Sequence, residues 1–231
     1  MKRMRLLAAL PLVVGVSLAP MAGVAQAAPN VPADCAVPPD INLGDYNIVI
    51  GTNRADTLTG TSRADFICGR LGDDVISSRG GNDLVLSDNT TFFGNVDAEG
   101  GDDVVVSGAG NDEVLSGPGN DVVKGGAGSD FLALAVGNDF GNGGAGPDNI
   151  NGGFGADTIL GGLFPDALIG GPGNDVLKGG SGDDFLVGEL PPGSQPPPGV
   201  PLPPPARNDI CIGANGNDTG IDCDHSFGIE S

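Results

Sequence analysis

Gly125-Gly126-Ala127-Gly128-Ser129-Asp130-Phe131-Leu132-Ala133 is one copy of a nine-residue unit, and from Ala98 to Val187 that unit repeats ten times without a slip. Its sixth residue is an aspartate throughout: Asp103, Asp112, Asp121, Asp130, Asp139, Asp148, Asp157, Asp166, Asp175 and Asp184. A short fixed period of this kind is the mark of a solenoid.

The unit has two halves. The first six residues are mostly glycine and end in Asn-Asp or Asp-Asp, a composition that reaches φ > 0 and forms tight turns. The last three place one apolar residue in the middle, as at Val105, Val114, Val123, Leu132, Ile150, Ile159, Leu168, Leu177 and Leu186. Strand neighbours alternate faces, so a three-residue strand with one inward side chain satisfies this pattern. Two units then close one eighteen-residue coil, with a turn on each flank and a thin apolar core between. The expected fold is all-β, a parallel β-roll. Aspartates on one flank stack about 4.8 Å apart, and bare carboxylates at that spacing repel by roughly 3 kcal/mol per pair at an effective dielectric near 20. A cation is required between them. Calcium suits, because it takes six to eight oxygens from carboxylates and from the main-chain carbonyls that glycine turns expose.

The GGxGxD nonapeptides resemble the RTX, or haemolysin-type, calcium-binding repeat. That resemblance implies a β-roll with several Ca2+ ions, each between consecutive turns of one flank. Carried onto this chain, one flank holds Asp112, Asp130, Asp148, Asp166 and Asp184, and the other Asp103, Asp121, Asp139, Asp157 and Asp175. The turn glycines expected beside the ions are Gly108 and Gly110, Gly117 and Gly119, Gly126 and Gly128, Gly144 and Gly146, Gly153 and Gly155, Gly171 and Gly173, and Gly180 and Gly182. Two units depart from the pattern. The one from Leu134 lacks the paired glycine and has Gly141 at its core position, and the one from Gly161 has Phe164 in place of a turn glycine. Sites at Asp139 and Asp166 are correspondingly weakened.

Outward from this block, residues 51–86 carry four further units, with Asp56, Asp65, Asp74 and Asp83 at the sixth place. Arg54 and Arg63 stand where the first two of these units need a turn glycine. Those turns are therefore expected to be structural, the arginine replacing a cation, whereas Asp74 and Asp83 are expected ligands. Residues 87–97 interrupt the register, with Phe92 and Phe93 expected to pack on the side of the roll. Residues 28–50, proline-rich and then apolar, are expected to cap the first coil, since solenoid ends need covering. Residues 188–205 are a proline-rich, extended loop, and 206–231 resume the repeats.

Residues 1–27 read as a secretory signal: Lys2, Arg3 and Arg5, an apolar run from Leu6 to Leu18, and Ala25-Gln26-Ala27 as the cleavage site. Export makes the four cysteines candidates for two disulfides. Cys35–Cys68 and Cys211–Cys223 would staple the two ends of the roll, although spacing alone leaves other pairings open. The 30 acidic residues against 10 basic ones, a net charge of −20, argue against nucleic acid or an anionic membrane as partner. His225 is the single histidine, and neither GxSxG nor HExxH is present, so no enzyme is expected. RTX repeats often follow a large catalytic or toxic domain, but nothing before these repeats is long enough for one. The expected function is that of an extracellular calcium-binding roll with a structural or interaction role. The alternatives are an adhesin or matrix protein using the outward ladder Val104, Val122, Phe140, Thr158 and Val176, and a non-catalytic fragment of a toxin or hydrolase. Its protein or glycan partner is not named by the sequence.

Overall fold

The computed structural model describes residues 31–88 (apart from 33, 36 and 38–40), 100–188, 210–213, 216, 219–221 and 225–227. The expected signal segment, Phe92 and Phe93, the proline-rich loop and Cys223 lie outside the described residues.

Among the described residues, eighteen strands alternate between two nine-stranded sheets, and every pairing is parallel. One sheet contains β1 (Asn47–Ile50), β3 (Asp65–Arg70), β5 (Leu84–Asp88), β7 (Glu113–Leu115), β9 (Phe131–Ala133), β11 (Asn149–Asn151), β13 (Ala167–Ile169), β15 (Phe185–Val187) and β17 (Thr219–Ile221). The other contains β2 (Thr57–Thr59), β4 (Val75–Gly80), β6 (Val104–Ala109), β8 (Val122–Ala127), β10 (Phe140–Ala145), β12 (Thr158–Leu163), β14 (Val176–Ser181), β16 (Ile210–Ile212) and β18 (His225–Phe227). Pairs such as Phe140↔Thr158 and Asn149↔Ala167 set the coil at eighteen residues. The main core is a run of buried eighth-place side chains, from Ile67, Ile76 and Val85 through Val105, Val114, Val123, Leu132, Ile150, Ile159, Leu168, Leu177 and Leu186 to Cys211, with Leu134 added from a first place. No helix among the described residues is long and apolar enough to cross a membrane.

The units are not equivalent. In the second sheet most strands run six residues, through the paired glycines of the next turn, instead of the expected three. On the other flank only isolated bridges form, Pro118↔Val136 and Val136↔Phe154. Proline has no N–H to give to a ladder, and Pro118 and Pro172 occupy the third place of that turn.

The irregular unit is internally compensated. Leu134, at its first place, is fully buried in the core file, and a Cβ on Gly141 would lie 3.0 Å from Leu134 Cδ1. The expectation of an empty core position at Gly141 is therefore corrected: a larger side chain from the turn fills it. Ala135 takes the left-handed conformation that its missing glycine would have supplied (φ 77). Leu134→Ala should lower stability by about 2–5 kcal/mol through the cavity left behind. Denaturant unfolding at fixed calcium would check this, and Gly141→Val in the same chain should recover part of the loss.

The amino-terminal segment covers a face as well as an end: β1 is the outermost strand of the first sheet, and its Val49 packs against the core. Phe66, Cys68, Leu84 and Leu86 sit at outward places of β3 and β5, yet they are buried with Cys35 and Leu43, and Val31, Val37, Ile41 and Tyr46 pack against them. Outward apolar residues of the first sheet are thereby taken out of water. Cys35 and Cys68 are joined across this contact, with Cα atoms 6.0 Å apart, and Arg70 Nε donates to Asp34 Oδ2 at 2.9 Å. Cys211 is also disulfide-bonded.

The register break is an insertion within one turn. Val75 pairs with Val104 and Leu84 with Glu113, so this coil spans 29 residues where others span 18. Strand β5 continues to Asp88 before the extra residues begin.

Candidate metal sites on the two turn flanks

Each turn delivers its sixth-place aspartate inward, and the coil spacing brings these carboxylates into two files. On one flank the Oδ1 of Asp83, Asp112, Asp130, Asp148, Asp166 and Asp184 accepts a hydrogen bond from the backbone N–H of the aspartate one coil earlier, for example Asp112 N to Asp130 Oδ1 at 2.9 Å. On the other flank Asp74, Asp103, Asp121, Asp139, Asp157 and Asp175 do the same. One oxygen per carboxylate is thus committed to holding the coils in register. The structure brings together the aspartates of each flank as the sequence grouped them.

The other oxygen is the informative one. The Oδ2 atoms of Asp74, Asp103, Asp112, Asp130, Asp139, Asp148, Asp157 and Asp166 are buried and accept no hydrogen bond. Leaving a buried acceptor unpaired costs about 1–3 kcal/mol, more when it is charged. Such a file does not persist as bare anions. Burial pushes the carboxyls of Asp103 and Asp139 up to about 8 and those of Asp112 and Asp166 up to about 7, with the charges of neighbouring aspartates adding to the effect. Each file demands a positive partner, proton or metal.

Glycine makes the space for one. A Cβ on Gly125, at the first place of its unit, would fall well inside 3.0 Å of both Asp130 Oδ2 and the Gly143 carbonyl oxygen of the next coil. Gly152 repeats this with Asp157 and Gly170, and Gly161 with Asp166 and Gly179. A carboxylate oxygen and a main-chain oxygen therefore converge where glycine leaves room. Among the described residues no three His, Cys, Asp or Glu side chains gather around one point. An ion here must complete its shell from main-chain carbonyls, which is the habit of calcium and not of zinc. The residues fit calcium.

Asp139 and Asp166, flagged by their irregular units, stand in the files with the same hydrogen bonds as their neighbours. The two differ in their surroundings. Gly161 keeps the first-place opening beside Asp166, whereas Leu134 occupies that place in the Asp139 unit. Ser78 and Ser116 also hold first places, and their hydroxyls donate to the Ser107 and Leu134 carbonyls, each at 2.8 Å.

The first two units differ for a reason other than their arginines. Asp56 Oδ2 accepts from Thr52 N at 2.6 Å and Thr52 Oγ1 at 2.8 Å. Asp65 Oδ2 accepts from Thr61 N at 2.6 Å and Thr61 Oγ1 at 3.2 Å, and its Oδ1 from Asn47 Nδ2 at 2.6 Å. These carboxylates are satisfied by threonine at the second place. Arg54 and Arg63 are exposed and, among the described residues, pair with neither aspartate. The threonines were readable in the sequence, since a hydroxyl four residues before an acid suits a local hydrogen bond.

A second ladder explains why asparagine or aspartate so often precedes the inward aspartate. Asp102 Oδ1 accepts from Asn120 N at 2.7 Å, Asn120 Oδ1 from Asn138 N at 3.0 Å, and Asn111 Oδ1 from Ser129 N at 2.9 Å. It runs toward the later coil, opposite in sense to the aspartate ladder, so each turn is tied in both directions.

The sequence matches the RTX calcium-binding nonapeptide repeat in four copies, at residues 50–85, 97–132, 135–168 and 164–190. The chain belongs to this RTX repeat family. The family's repeats bind Ca2+, in agreement with the buried oxygens of the two files. The gap between the first two RTX matches overlaps the inserted residues, and the short gap after 132 includes Leu134. No curated protein matches the chain.

Proposed function

We propose that this RTX protein is exported through a cleaved amino-terminal signal, takes up several calcium ions outside the cell, and folds as it does so into a non-catalytic roll with a structural or interaction role. The observation that carries this reading is the pair of carboxylate files with buried, unpartnered Oδ2 atoms. One inward apolar side chain per nine residues is a thin core, and the files oppose folding until a cation enters them. Low calcium inside a cell would keep the chain unfolded for export, and millimolar calcium outside would fold it.

Adhesion through an outer face is the second reading. Val104, Val122, Phe140, Thr158 and Val176 are mutually in register along the second sheet, and Val104 and Val75 are among the exposed apolar residues. A ladder of this kind offers a flat apolar strip to a partner, although β-branched residues also suit strands for their own sake.

Isolation of the protein from culture medium tests the main reading. Amino-terminal sequencing should start at Ala28, and elemental analysis should find several calcium ions per chain. A chain retained in the cell, or secreted without calcium, would overturn it.

A further inference from the structure

The turn that contains the insertion carries a carboxylate outside the nine-residue pattern. Asp88 occupies the second place of that turn, where Gly117 stands in the next coil, and it is in register with Arg70 in the coil before. Its side chain is buried, with 1% of the residue exposed. Asp88 Oδ2 accepts from Gly101 N at 3.2 Å, whereas Oδ1 is buried without a partner. A Cβ on Gly100 would fall well inside 3.0 Å of both Asp88 Oδ2 and the Pro118 carbonyl oxygen. Oδ2 thus faces a glycine-lined, carbonyl-bearing space like that beside the repeat aspartates, while Oδ1 is the oxygen left without a partner. Asp103 is the sixth-place aspartate of the same turn, and Asp74 and Asp121 are its neighbours in the file.

We propose that Asp88 is an additional calcium ligand, giving the site at the insertion-bearing turn one more carboxylate than the repeat supplies and making it the tightest site on this flank. The reason is physical. Asp88 adds a second buried carboxylate to the turn that carries Asp103, one of its oxygens accepts no hydrogen bond and, among the described residues, no basic side chain pairs with it. Calcium affinity rises with ligand charge at a preformed site. Asp88 is the last described residue before the insertion and Gly100 the first after it, so one ion held by Asp88 and Asp103 would tie the turn across the insertion.

The inference rests on the calcium-binding reading, and the test separates the two. Full-length mature protein, Asp88→Asn and Asp88→Gly would be dialysed against a series of buffered free calcium concentrations, with bound calcium measured by elemental analysis and strand content by circular dichroism. Asn keeps the acceptor for Gly101 N–H and removes the charge, and Gly restores the residue of the repeat. Both variants should reach wild-type strand content in saturating calcium, and the first ion to bind should need at least about tenfold more free calcium than in the wild type. Coincident binding curves for wild type and Asp88→Asn would overturn the proposal and leave the calcium reading intact. Failure of both variants to reach wild-type strand content in saturating calcium would also overturn it, by showing Asp88 to be a structural hydrogen-bond acceptor. Absence of calcium from the wild type would overturn both readings.

Discussion

Gly128→Val is expected to destabilise the calcium-loaded roll by on the order of 3 kcal/mol or more. Gly128 has φ 142 in the left-handed half of backbone space, where a β-branched residue is a true outlier. A Cβ there would also fall well inside 3.0 Å of the Gly110 carbonyl oxygen in the coil before. That oxygen belongs to the backbone and cannot swing aside as a side chain would. Phe164 shows what a side chain at this place demands, because its φ is 82 where the equivalent Gly146 and Gly182 have 135 and 152. A different local path of the turn accommodates it. Valine has the fewest rotamers with which to follow. Thermal unfolding in saturating calcium reads the effect, and a change smaller than about 0.5 kcal/mol, typical of a neutral surface substitution, would contradict it.

Asp148→Asn is expected to act with opposite signs in the presence and absence of calcium. Asparagine keeps an oxygen to accept from Asp130 N, the bond that spans 2.9 Å in the structure, so the coil register survives. What disappears is a carboxylate whose Oδ2 is buried without a partner. Burial pushes the Asp148 carboxyl up to about 6, and the charge of Asp130 adds to the effect. The metal-free roll therefore carries this charge at neutral pH at a greater cost than the unfolded chain does, and a neutral replacement relieves it. With calcium, the same change removes a ligand and should weaken binding at that site by roughly 10–100-fold or more. In chelator, Asp148→Asn should be at least as compact as the wild type, and in calcium it should be less stable and hold less metal. Asp56→Asn is the control, since Thr52 already satisfies that carboxylate, and its calcium content should be unchanged. Equal metal loss from Asp56→Asn would show that unpartnered oxygen is not what distinguishes a site.

Much of this architecture was legible in the repeat itself. A nine-residue period with one apolar residue fixes the strand faces, and an eighteen-residue coil then sorts Asp112, Asp130, Asp148 and Asp166 onto one flank and Asp103, Asp121, Asp139 and Asp157 onto the other, as the hydrogen-bond ladders do. What escaped were substitutions that act across the pattern. Leu134 compensates for Gly141 from the turn half of its unit, and a template that assigns the core to the eighth place alone has no slot for it. Thr52 and Thr61 satisfy their aspartates through hydroxyl and amide bonds; the spacing of four is visible in the sequence, but the amide bonds depend on the path of the turn. The amino-terminal segment was expected over the end of the solenoid because such ends need covering; β1 lies there, but the rest of the segment also buries the outward apolar residues Phe66, Leu84 and Leu86, which the end-cap expectation did not include. Asp88 lies at the edge of the register break, where the nine-residue pattern assigns it no role. Only the pairing of Val75 with Val104 shows that the turn resumes after the insertion and keeps Asp88 inside.

The central claim is that calcium, bound along the two carboxylate files, holds the roll together. It is tested most directly by adding chelator to the oxidised mature protein and following strand signal by circular dichroism together with hydrodynamic radius. Each site filled to a hundred times its dissociation constant adds about 2.7 kcal/mol to the folded state, and several sites along one stack act together. Removal of calcium should therefore abolish most of the strand signal and expand the chain, and restoring millimolar calcium should reverse both changes. The amino-terminal coils, clamped by Cys35–Cys68 and covered by the segment around Leu43, should keep a residue of structure. Unchanged strand content and radius in chelator would contradict the claim, because the roll would then stand without its ions.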